Sequence, residues 1–212
     1  MRWRLRARGS RKRVGLIGFF GWGNYGDELF VSAFEEHLGP ALDLRVLPDK
    51  TTKPYFSKPL RRVLSTVDAI LIGGGDLVVP WRKGPLYWNP RYLKLPVYIA
   101  GIGVAHRQDA EPNPAVLKDL QAFFQHPNVR YISARDETSA VWIERHLKPH
   151  VPVLRVPDIV CSLTLPPVTP RDDVFGIITR FRAGHETDYP ILTEVAERMQ
   201  ERGFEVRHIR SE

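Results

Sequence analysis

Three glycine-rich stretches carry the residues of this chain that are best suited to chemistry. They are GWGNYG at residues 21–26, GGGD at residues 73–76 and GIG at residues 101–103, and each follows a short apolar run. Glycines at the carboxyl end of a buried strand let backbone N–H groups approach a ligand closely. In parallel sheets, ligands collect at that edge. The pattern therefore predicts a site with Gly74, Gly75 and Asp76 in its wall, although the same glycines also suit a tight structural turn.

The first stretch matches G-x-G-x-x-G, the pattern that lies between a strand and a helix in dinucleotide-binding domains. Asp49 follows the next predicted strand at about the distance that this motif requires. However, Asp27 and Glu28 place negative charge at the helix N-terminus, where a pyrophosphate would bind. Asp27 is also placed to cap that helix. Three interpretations remain open: a dinucleotide loop, a purely structural turn, and a cleft in which these carboxylates bind hydroxyl groups or order the loop.

Arg135 is a third candidate, because it lies between a predicted strand and a predicted helix in SARDETS, residues 133–139. The planar guanidinium of arginine binds carboxylates and phosphates through parallel N–H donors, so Arg135 is predicted to bind an anion. Asp136 is expected either to anchor that guanidinium or to cap the helix. The alternative is a surface Arg–Asp pair that binds no ligand.

Apolar runs predict the elements that position these residues. Strands are expected at residues 14–18, 44–47, 69–72, 96–100, 129–132 and 153–156, and helices after the first glycine stretch and at residues 114–125 and 138–147. This alternation predicts an α/β fold, a Rossmann-like parallel sheet with helices on both faces. Residues 80–95 are predicted to form a loop. Its aromatic side chains, Trp81, Tyr87, Trp88 and Tyr92, are expected either to stack on a sugar or nucleobase or to cover the sheet edge.

The predicted organisation is two domains joined by a linker. The proline-rich residues 166–173 separate an N-terminal domain at 14–165 from a strand, a helix and a strand at 174–212. So short a segment cannot enclose a second sheet with both faces covered. It is therefore expected to be the first βαβ unit of a truncated second domain.

Charge is concentrated at the N-terminus. The net charge is +7, but residues 1–13 hold seven basic residues and no acid, and the remainder balances 24 basic against 24 acidic residues. The basic total is therefore no evidence for a nucleic-acid-binding domain. Residues 1–13 are expected to form a disordered basic tail, and contact with RNA or with an anionic membrane surface is the alternative.

Other patterns predict compartment and metal content. Cys161 is the only cysteine, and no window approaches 18 uninterrupted apolar residues, so a cytoplasmic protein without a membrane span or signal peptide is expected. His146 and His150 lie four residues apart, but Pro149 between them interrupts a shared helical face. No metal site is predicted.

Taken together, the motifs resemble those of the polysaccharide pyruvyl transferases. The matching stretches, in the family's order, are GFFGWGNYGDE (18–28), ILIGGGDLV (70–78), YIAGIGV (98–104), ISARDETSA (132–140) and VPDIV (156–160). They correspond to the family's N-terminal half, over residues 14–182. The resemblance implies a GT-B-like fold, in which substrates bind between two Rossmann-like domains. It also implies transfer of the pyruvyl group of phosphoenolpyruvate to a sugar of a cell-surface polysaccharide, as a ketal.

The resemblance further implies partners and site residues. Phosphoenolpyruvate is the expected donor and a saccharide or lipid-linked saccharide the acceptor, with no cofactor, no specific nucleic acid, and peripheral membrane contact through the basic tail as a candidate. Arg135, assisted by the amides of Gly74 and Gly75, is expected to bind the donor anion. The other implied substrate-binding residues are Asn24, Gly26, Asp27, Glu28, Asp76, Asp136, Ser139 and, with Arg182 near it, Arg180.

One family motif has no match. The family's histidine lies in an Arg-Leu-His sequence, which does not occur in these 212 residues. The catalytic residue therefore stays unassigned, and the chain is expected to be incomplete for catalysis. A Rossmann-type nucleotide- or NAD-binding enzyme and a non-catalytic binding half-protein are the alternative functions.

Overall fold

The structure is a computed structural model that describes residues 11–49, 55–106, 110–180 and 189–211. The chain divides into two units, Met1–Leu163 and Thr164–Glu212. In chain order, the elements of the first unit are β1 Lys12–Ile17, α1 Tyr25–Leu38, β2 Leu42–Val46, α2 Leu60–Leu64, β3 Ala69–Val78, β4 Val97–Val104, α3 Pro114–Phe124, β5 Val129–Ala134, α4 Glu137–Leu147 and β6 Val153–Arg155, with 3-10 helices at Pro90–Lys94 and Ile159–Ser162.

The first unit is built on a six-stranded sheet with strand order β2-β1-β3-β4-β5-β6. Every neighbouring pair is parallel, and β1 lies between β2 and β3 through pairs such as Leu16 with Val46 and with Leu71. From β1 the chain moves outward to β2 and then returns to build the rest of the sheet on the other side. This reversal opens a crevice at the carboxyl ends of β1 and β3, where ligands of such sheets bind. The predicted α/β fold with a parallel sheet is confirmed.

Both faces of the sheet are buried because successive residues of a strand point to opposite faces. On one face, Leu16 and Leu71 pack with Phe30 and Phe34 of α1. On the other face, Ile72 belongs to a larger core that α2, α3 and α4 complete. Strands covered in this way carry continuous apolar runs, which explains why the sequence pattern located them. None of the helices in the described part of the chain is long and apolar enough to cross a membrane.

The strands extend beyond their predicted ends. β3 was expected to end at Ile72 but continues to Val78, and β4 continues to Val104. Gly74 and Gly75 adopt φ values of +88° and +76°, and the pairing with β4 shifts between Gly75 and Val78. Glycine tolerates this left-handed backbone within a strand. The second glycine stretch is therefore a distorted part of β3, not a turn after it.

β1 also begins earlier than expected. Lys12 and Arg13 pair with Leu42 and Asp43 of β2, and the backbone N–H of Arg13 donates to Asp68 Oδ2 at 3.0 Å. The two basic residues are thus held in the sheet and do not belong to the basic tail. Residues 1–10 of that tail lie outside the described residues.

The aromatic loop divides into buried and half-buried side chains. Trp88 and Tyr92 are 6% and 0% exposed. The indole N–H of Trp88 donates to the Leu77 carbonyl at 3.0 Å, and the Tyr92 hydroxyl donates to the Leu86 carbonyl at 2.7 Å. Burial raises the pKa of Tyr92. These two residues therefore cover the sheet, and the alternative in which they stack on a ligand is wrong.

The second unit is a strand, a helix and a strand, as predicted: β7 Val174–Arg180, α5 Tyr189–Glu201 and β8 Glu205–Ser211. β7 and β8 are parallel and pair from Val174 with Glu205 to Arg180 with Ser211. Ile177 is buried, whereas Ile178 on the following position is 70% exposed. This small sheet therefore buries one of its faces within the unit.

The packing of Phe124 in the core can be tested by its effect on stability. Phe124 is fully buried, with its ring centroid 5.0 Å from that of Trp88. Phe124→Ala should lower the free energy of unfolding by about 3–5 kcal/mol, because the lost side chain leaves a cavity in a packed core. Urea unfolding measures the loss. Val141→Ala, at a 44% exposed position of the neighbouring helix α4, is the control and should change stability by less than about 0.5 kcal/mol. Equal losses in the two variants would contradict the core assignment.

Candidate functional site

The candidate site lies at the carboxyl edge of the six-stranded sheet, across the ends of β1, β3, β5 and β6. The loop after β1 leads into α1 with Asn24, and Asp76 lies on β3. Arg135 directly follows β5, and Asp158 follows β6. The topology thus brings together the GWGNYG, GGGD and SARD stretches that the sequence singled out.

Arg135 is the central charge of the site, and two carboxylates hold it. Its Nη2 donates to Asp76 Oδ1 at 2.7 Å, and its Nη1 donates to Asp158 Oδ2 at 3.4 Å. Asp136 is farther away, with Oδ2 4.0 Å from Arg135 Nε. Asp136 caps α4, because its Oδ1 accepts from the Ser139 N–H at 2.7 Å. Of the two roles expected for Asp136, capping is therefore the principal one.

Asp158 is a site residue that the sequence reasoning missed. Its Oδ1 accepts from the Val160 N–H at 3.1 Å, which caps a 3-10 helix and leaves Oδ2 for Arg135. The signal was present, since the acid follows a short apolar run in VPDIV. That run is only three residues long as a strand, so nothing local indicated that its end lies beside β5.

Gly103 makes room for the ion pair between Arg135 and Asp76. A Cβ on Gly103 would overlap Asp76 Oδ1 and would lie 2.8 Å from Arg135 Nε. In the third glycine stretch, Gly103 therefore serves the site because it has no side chain, since the Arg135–Asp76 pair fills the space beside its backbone.

The glycine loop after β1 is fixed by the first turn of α1. Asn24 caps the helix, as its Oδ1 accepts from the Gly26 N–H at 3.2 Å. Glu28 Oε1 accepts from the Gly21 N–H at 2.6 Å. The expectation that Asp27 caps the helix is wrong, because Asn24 precedes the helix with an extended backbone and Asp27 lies inside it. Asn24 and Glu28 order the loop, and Gly26 supplies the N–H that the cap requires.

Asp27 differs from its neighbours, because no hydrogen bond to its carboxylate is formed within the part of the chain that the structure describes. Its Oδ1 lies 3.0 Å from the place that a Cβ on Gly75 would take. Burial raises the pKa of Asp27, the negative charges of Glu28 and Asp76 raise it further, and Arg135 opposes them. A half-buried carboxylate with raised proton affinity at the start of a helix beside the carboxyl edge of the sheet has the properties of a general base.

The remaining predicted residues have the following places. Gly74 lies under the Phe30 ring, whose Cγ is 2.9 Å from the position of a Cβ. Ser139 is buried, and its Oγ accepts from the Val104 N–H and donates to Asp136 Oδ2, both at 2.9 Å. The backbone of Arg180 ends β7, while its side chain and Arg182 lie outside the described part of the chain. Contact of these residues with a ligand stays a prediction.

The charge of the site is dominated by acid. Arg135 lies among the carboxylates of Asp27, Asp76, Asp136 and Asp158, and Glu28 adds negative charge beside Asp27. Among the described residues, no three His, Cys, Asp or Glu side chains are grouped as a metal would need. Ionised carboxylates only accept hydrogen bonds, so the arrangement suits the hydroxyl groups of a neutral ligand. The guanidinium of Arg135 is the group that suits an anion.

A family comparison identifies the chain. The family model for polysaccharide pyruvyl transferase matches residues 24–207, from the end of the glycine loop through Arg135 and into the second unit. The chain belongs to the polysaccharide pyruvyl transferase family. This family is one of transferases. The dinucleotide interpretation is not favoured, because an N–H of the glycine loop is already bound by Glu28 and the first helical turn is acidic.

No curated protein matches the chain. A solved structure of an ABC domain in complex with L-Trp from Streptococcus pneumonia is similar over 95% of this chain, with 12% sequence identity and a TM-score of 0.37. The present chain spans 58% of that solved chain.

The role of Gly103 predicts the effect of adding one methyl group. Gly103→Ala should separate Arg135 from Asp76, because the new Cβ takes the place of Asp76 Oδ1. A crystal structure of the variant measures the displacement, and thermal unfolding measures the lost stability. Gly176→Ala is the control, since a Cβ there meets nothing within 4 Å. An unmoved pair in the variant would contradict this account.

The raised pKa of Asp27 predicts a pH-dependent stability. The folded protein binds the Asp27 proton more tightly than the unfolded chain, so stability falls as pH rises from 3.8 through the folded-state pKa. Asp27→Asn should therefore be more stable than the wild type at pH 7, and the gain should vanish in acid. Denaturant unfolding between pH 3 and pH 8 measures it.

Asp43→Asn is the matched control, because the pKa of Asp43 is shifted in the opposite direction to that of Asp27. The hydrogen bond from Arg45 lowers the pKa of Asp43, so Asp43 stabilises the fold above its ordinary pKa and loses that effect as pH falls. Asp43→Asn should not gain stability at pH 7. If both variants behaved alike across this pH range, the environment assigned to Asp27 would be wrong.

Proposed function

We propose that this protein transfers the pyruvyl group of phosphoenolpyruvate to two hydroxyl groups of a saccharide and forms a cyclic ketal. Family membership supports the class of reaction. The observation that carries the proposal is that a hydrogen-bond donor and a hydrogen-bond acceptor lie at the same edge of the sheet. Arg135 supplies N–H donors there, and the carboxylate of Asp27 has no hydrogen bond within the described residues.

Arg135 is the proposed ligand of the donor's anionic groups. Its guanidinium has five N–H donors, of which two are used by Asp76 and Asp158, and the side chain is 29% exposed. The two carboxylates fix the plane of the guanidinium, so its remaining donors face a ligand in one orientation. The amides of Gly74 and Gly75 are proposed to assist.

Asp27 is the proposed base for the acceptor. A saccharide hydroxyl that bonds to C2 of the donor must lose its proton, and a carboxylate with raised proton affinity accepts that proton more readily than an ordinary one. Asn24 and Glu28 keep the first turn of α1, and with it Asp27, in place. Asp76 and Asp136 are proposed to accept hydrogen bonds from further hydroxyl groups, and Ser139 to hold Asp136.

The reaction balances as follows. C3 of the enol receives a proton from a general acid that we leave unassigned, and the first hydroxyl oxygen bonds to C2. The second hydroxyl oxygen then bonds to C2, the C2–O bond to phosphate breaks, and its electrons leave with the phosphate. The two hydroxyl protons replace the proton given to C3 and protonate the departing phosphate. No cofactor is required.

The setting of the reaction is part of the proposal. We place it in the cytoplasm, because the single cysteine fits a reducing compartment. We propose that Arg180 and Arg182 contribute further positive charge to the donor, as the resemblance to the family implies. The basic residues 1–10 would favour contact with an anionic membrane that carries a lipid-linked acceptor.

Kinetics with phosphoenolpyruvate test the assignment of Arg135. Arg135→Ala should raise the KM for phosphoenolpyruvate about 10- to 100-fold, because a hydrogen bond to a charged group contributes about 1.5–3 kcal/mol. Asp76→Asn should lower that KM, by about fivefold at most, because the amide oxygen can still accept from Arg135 while the negative charge that competes with the donor anion is lost. Phosphate release and ketal formation are the measurements.

Arg45→Ala is the control for loss of an arginine, since Arg45 pairs with Asp43 on the edge strand β2. Its KM should equal that of the wild type. If Arg135→Ala left the KM for phosphoenolpyruvate unchanged, the donor assignment would fail. If the protein released no phosphate from phosphoenolpyruvate with any saccharide acceptor, the proposed function would fail.

A further inference from the structure

Three aromatic side chains form a group beside the glycine loop, which we call the aromatic platform: Phe19, Trp22 and Tyr55. The rings of Phe19 and Trp22 are stacked, with centroids 5.0 Å apart and planes 10° apart. Tyr55 meets Trp22 edge-on at 6.4 Å. Phe19 and Trp22 are half-buried, and Tyr55 is 37% exposed. The platform therefore differs from Trp88, whose ring is enclosed in the core.

The backbone holds the platform in place. Gly21 and Gly23, on either side of Trp22, both adopt φ +79°, which only glycine takes without strain. The hydrogen bond from the Gly21 N–H to Glu28 ties this loop to α1 at 2.6 Å. Trp22 is thus presented at a fixed position relative to the first turn of α1, which carries Asp27.

Asp27 is the polar group beside the platform. It lies in the first turn of α1, next to Glu28, whose Oε1 accepts from the N–H of Gly21, the residue before Trp22. The loop and this helical turn thus combine an apolar aromatic surface with an acceptor carboxylate.

We propose that the aromatic platform binds the acceptor, with the apolar face of a neutral pyranose ring against Trp22 and hydroxyl groups directed to Asp27. This inference rests on the proposed function and adds a specificity-determining residue to it. A pyranose has an apolar C–H face and an edge of hydroxyl groups, and aromatic rings with a polar neighbour match both. Arg135 provides positive charge for the donor, whereas the platform lies beside the carboxylates of Asp27 and Glu28, so it selects uncharged hexoses and N-acetylhexosamines over anionic sugars.

The test measures saccharide binding separately from turnover. Saturation-transfer NMR would be recorded on this protein with a panel of methyl glycosides of neutral hexoses and N-acetylhexosamines. The tightest binder of the panel would then be titrated against the wild type, Trp22→Ala and Trp22→Phe. Trp22→Ala should weaken binding about 2- to 12-fold, the effect of an aromatic contact, whereas Trp22→Phe should retain most of the affinity.

Trp142→Ala is the matched control. Trp142 is also half-buried and stacked, against His146 at 4.7 Å on α4, outside the site. Its removal should leave the glycoside affinity and the KM for phosphoenolpyruvate unchanged. Trp22→Ala should likewise leave the KM for phosphoenolpyruvate unchanged, a separation that general loss of structure would not produce.

The outcomes separate this inference from the proposed function. Ketal formation with equal glycoside affinity in the wild type and Trp22→Ala would overturn the platform and leave the function standing. Trp22-dependent glycoside binding without use of phosphoenolpyruvate would support the platform and overturn the function. Failure of the wild type to bind any glycoside of the panel would overturn the platform.

Discussion

The ion pairs of Arg135 are the interaction on which the rest of the site depends. Asp76 contacts this guanidinium from β3, and Asp158 contacts it from the segment after β6. The Arg135 side chain, which follows β5, therefore links three separate parts of the sheet edge. The pairing requires that β4 pass between them without a side chain, which Gly103 provides. Parallel order and the reversal at β1 and β3 bring these ends to one edge.

Asp27 adds negative charge to the same edge at a cost to stability at neutral pH. Asp27 lies near Glu28 and Asp76, and its raised pKa shows that the folded state disfavours its ionised form. Such groups persist where they act on a ligand, because function and stability are selected together. In the proposed function, the hydroxyl groups of the saccharide acceptor would donate hydrogen bonds to Asp27. A cluster of carboxylates around one arginine therefore fits the proposed transfer of a pyruvyl group to a saccharide.

Much of the fold and part of the site could be predicted, each for an identifiable reason. Buried parallel strands carry unbroken apolar runs, so β1, β3 and β4 were located, but their ends were not, since Gly74 and Gly75 continue β3 where glycine usually ends a strand. Trp88 could not be told from Trp22, because both lie in irregular segments and only packing separates them. Asp158 escaped because its partner lies in another strand connection.

The sequence by itself determined the α/β class, the glycine stretches, the acidic first turn of α1 and, through five ordered motifs, the family. These properties are local or periodic along the chain, so they survive without knowledge of contacts. Only the tertiary structure decided which carboxylates hold Arg135, that Asn24 and not Asp27 caps α1, and that Trp22 lies beside Tyr55. The partners of Arg135 and of Trp22 depend on strand order and packing, which bring together residues that the chain keeps far apart. The cap depends on the residue at which α1 begins, which the apolar pattern did not fix.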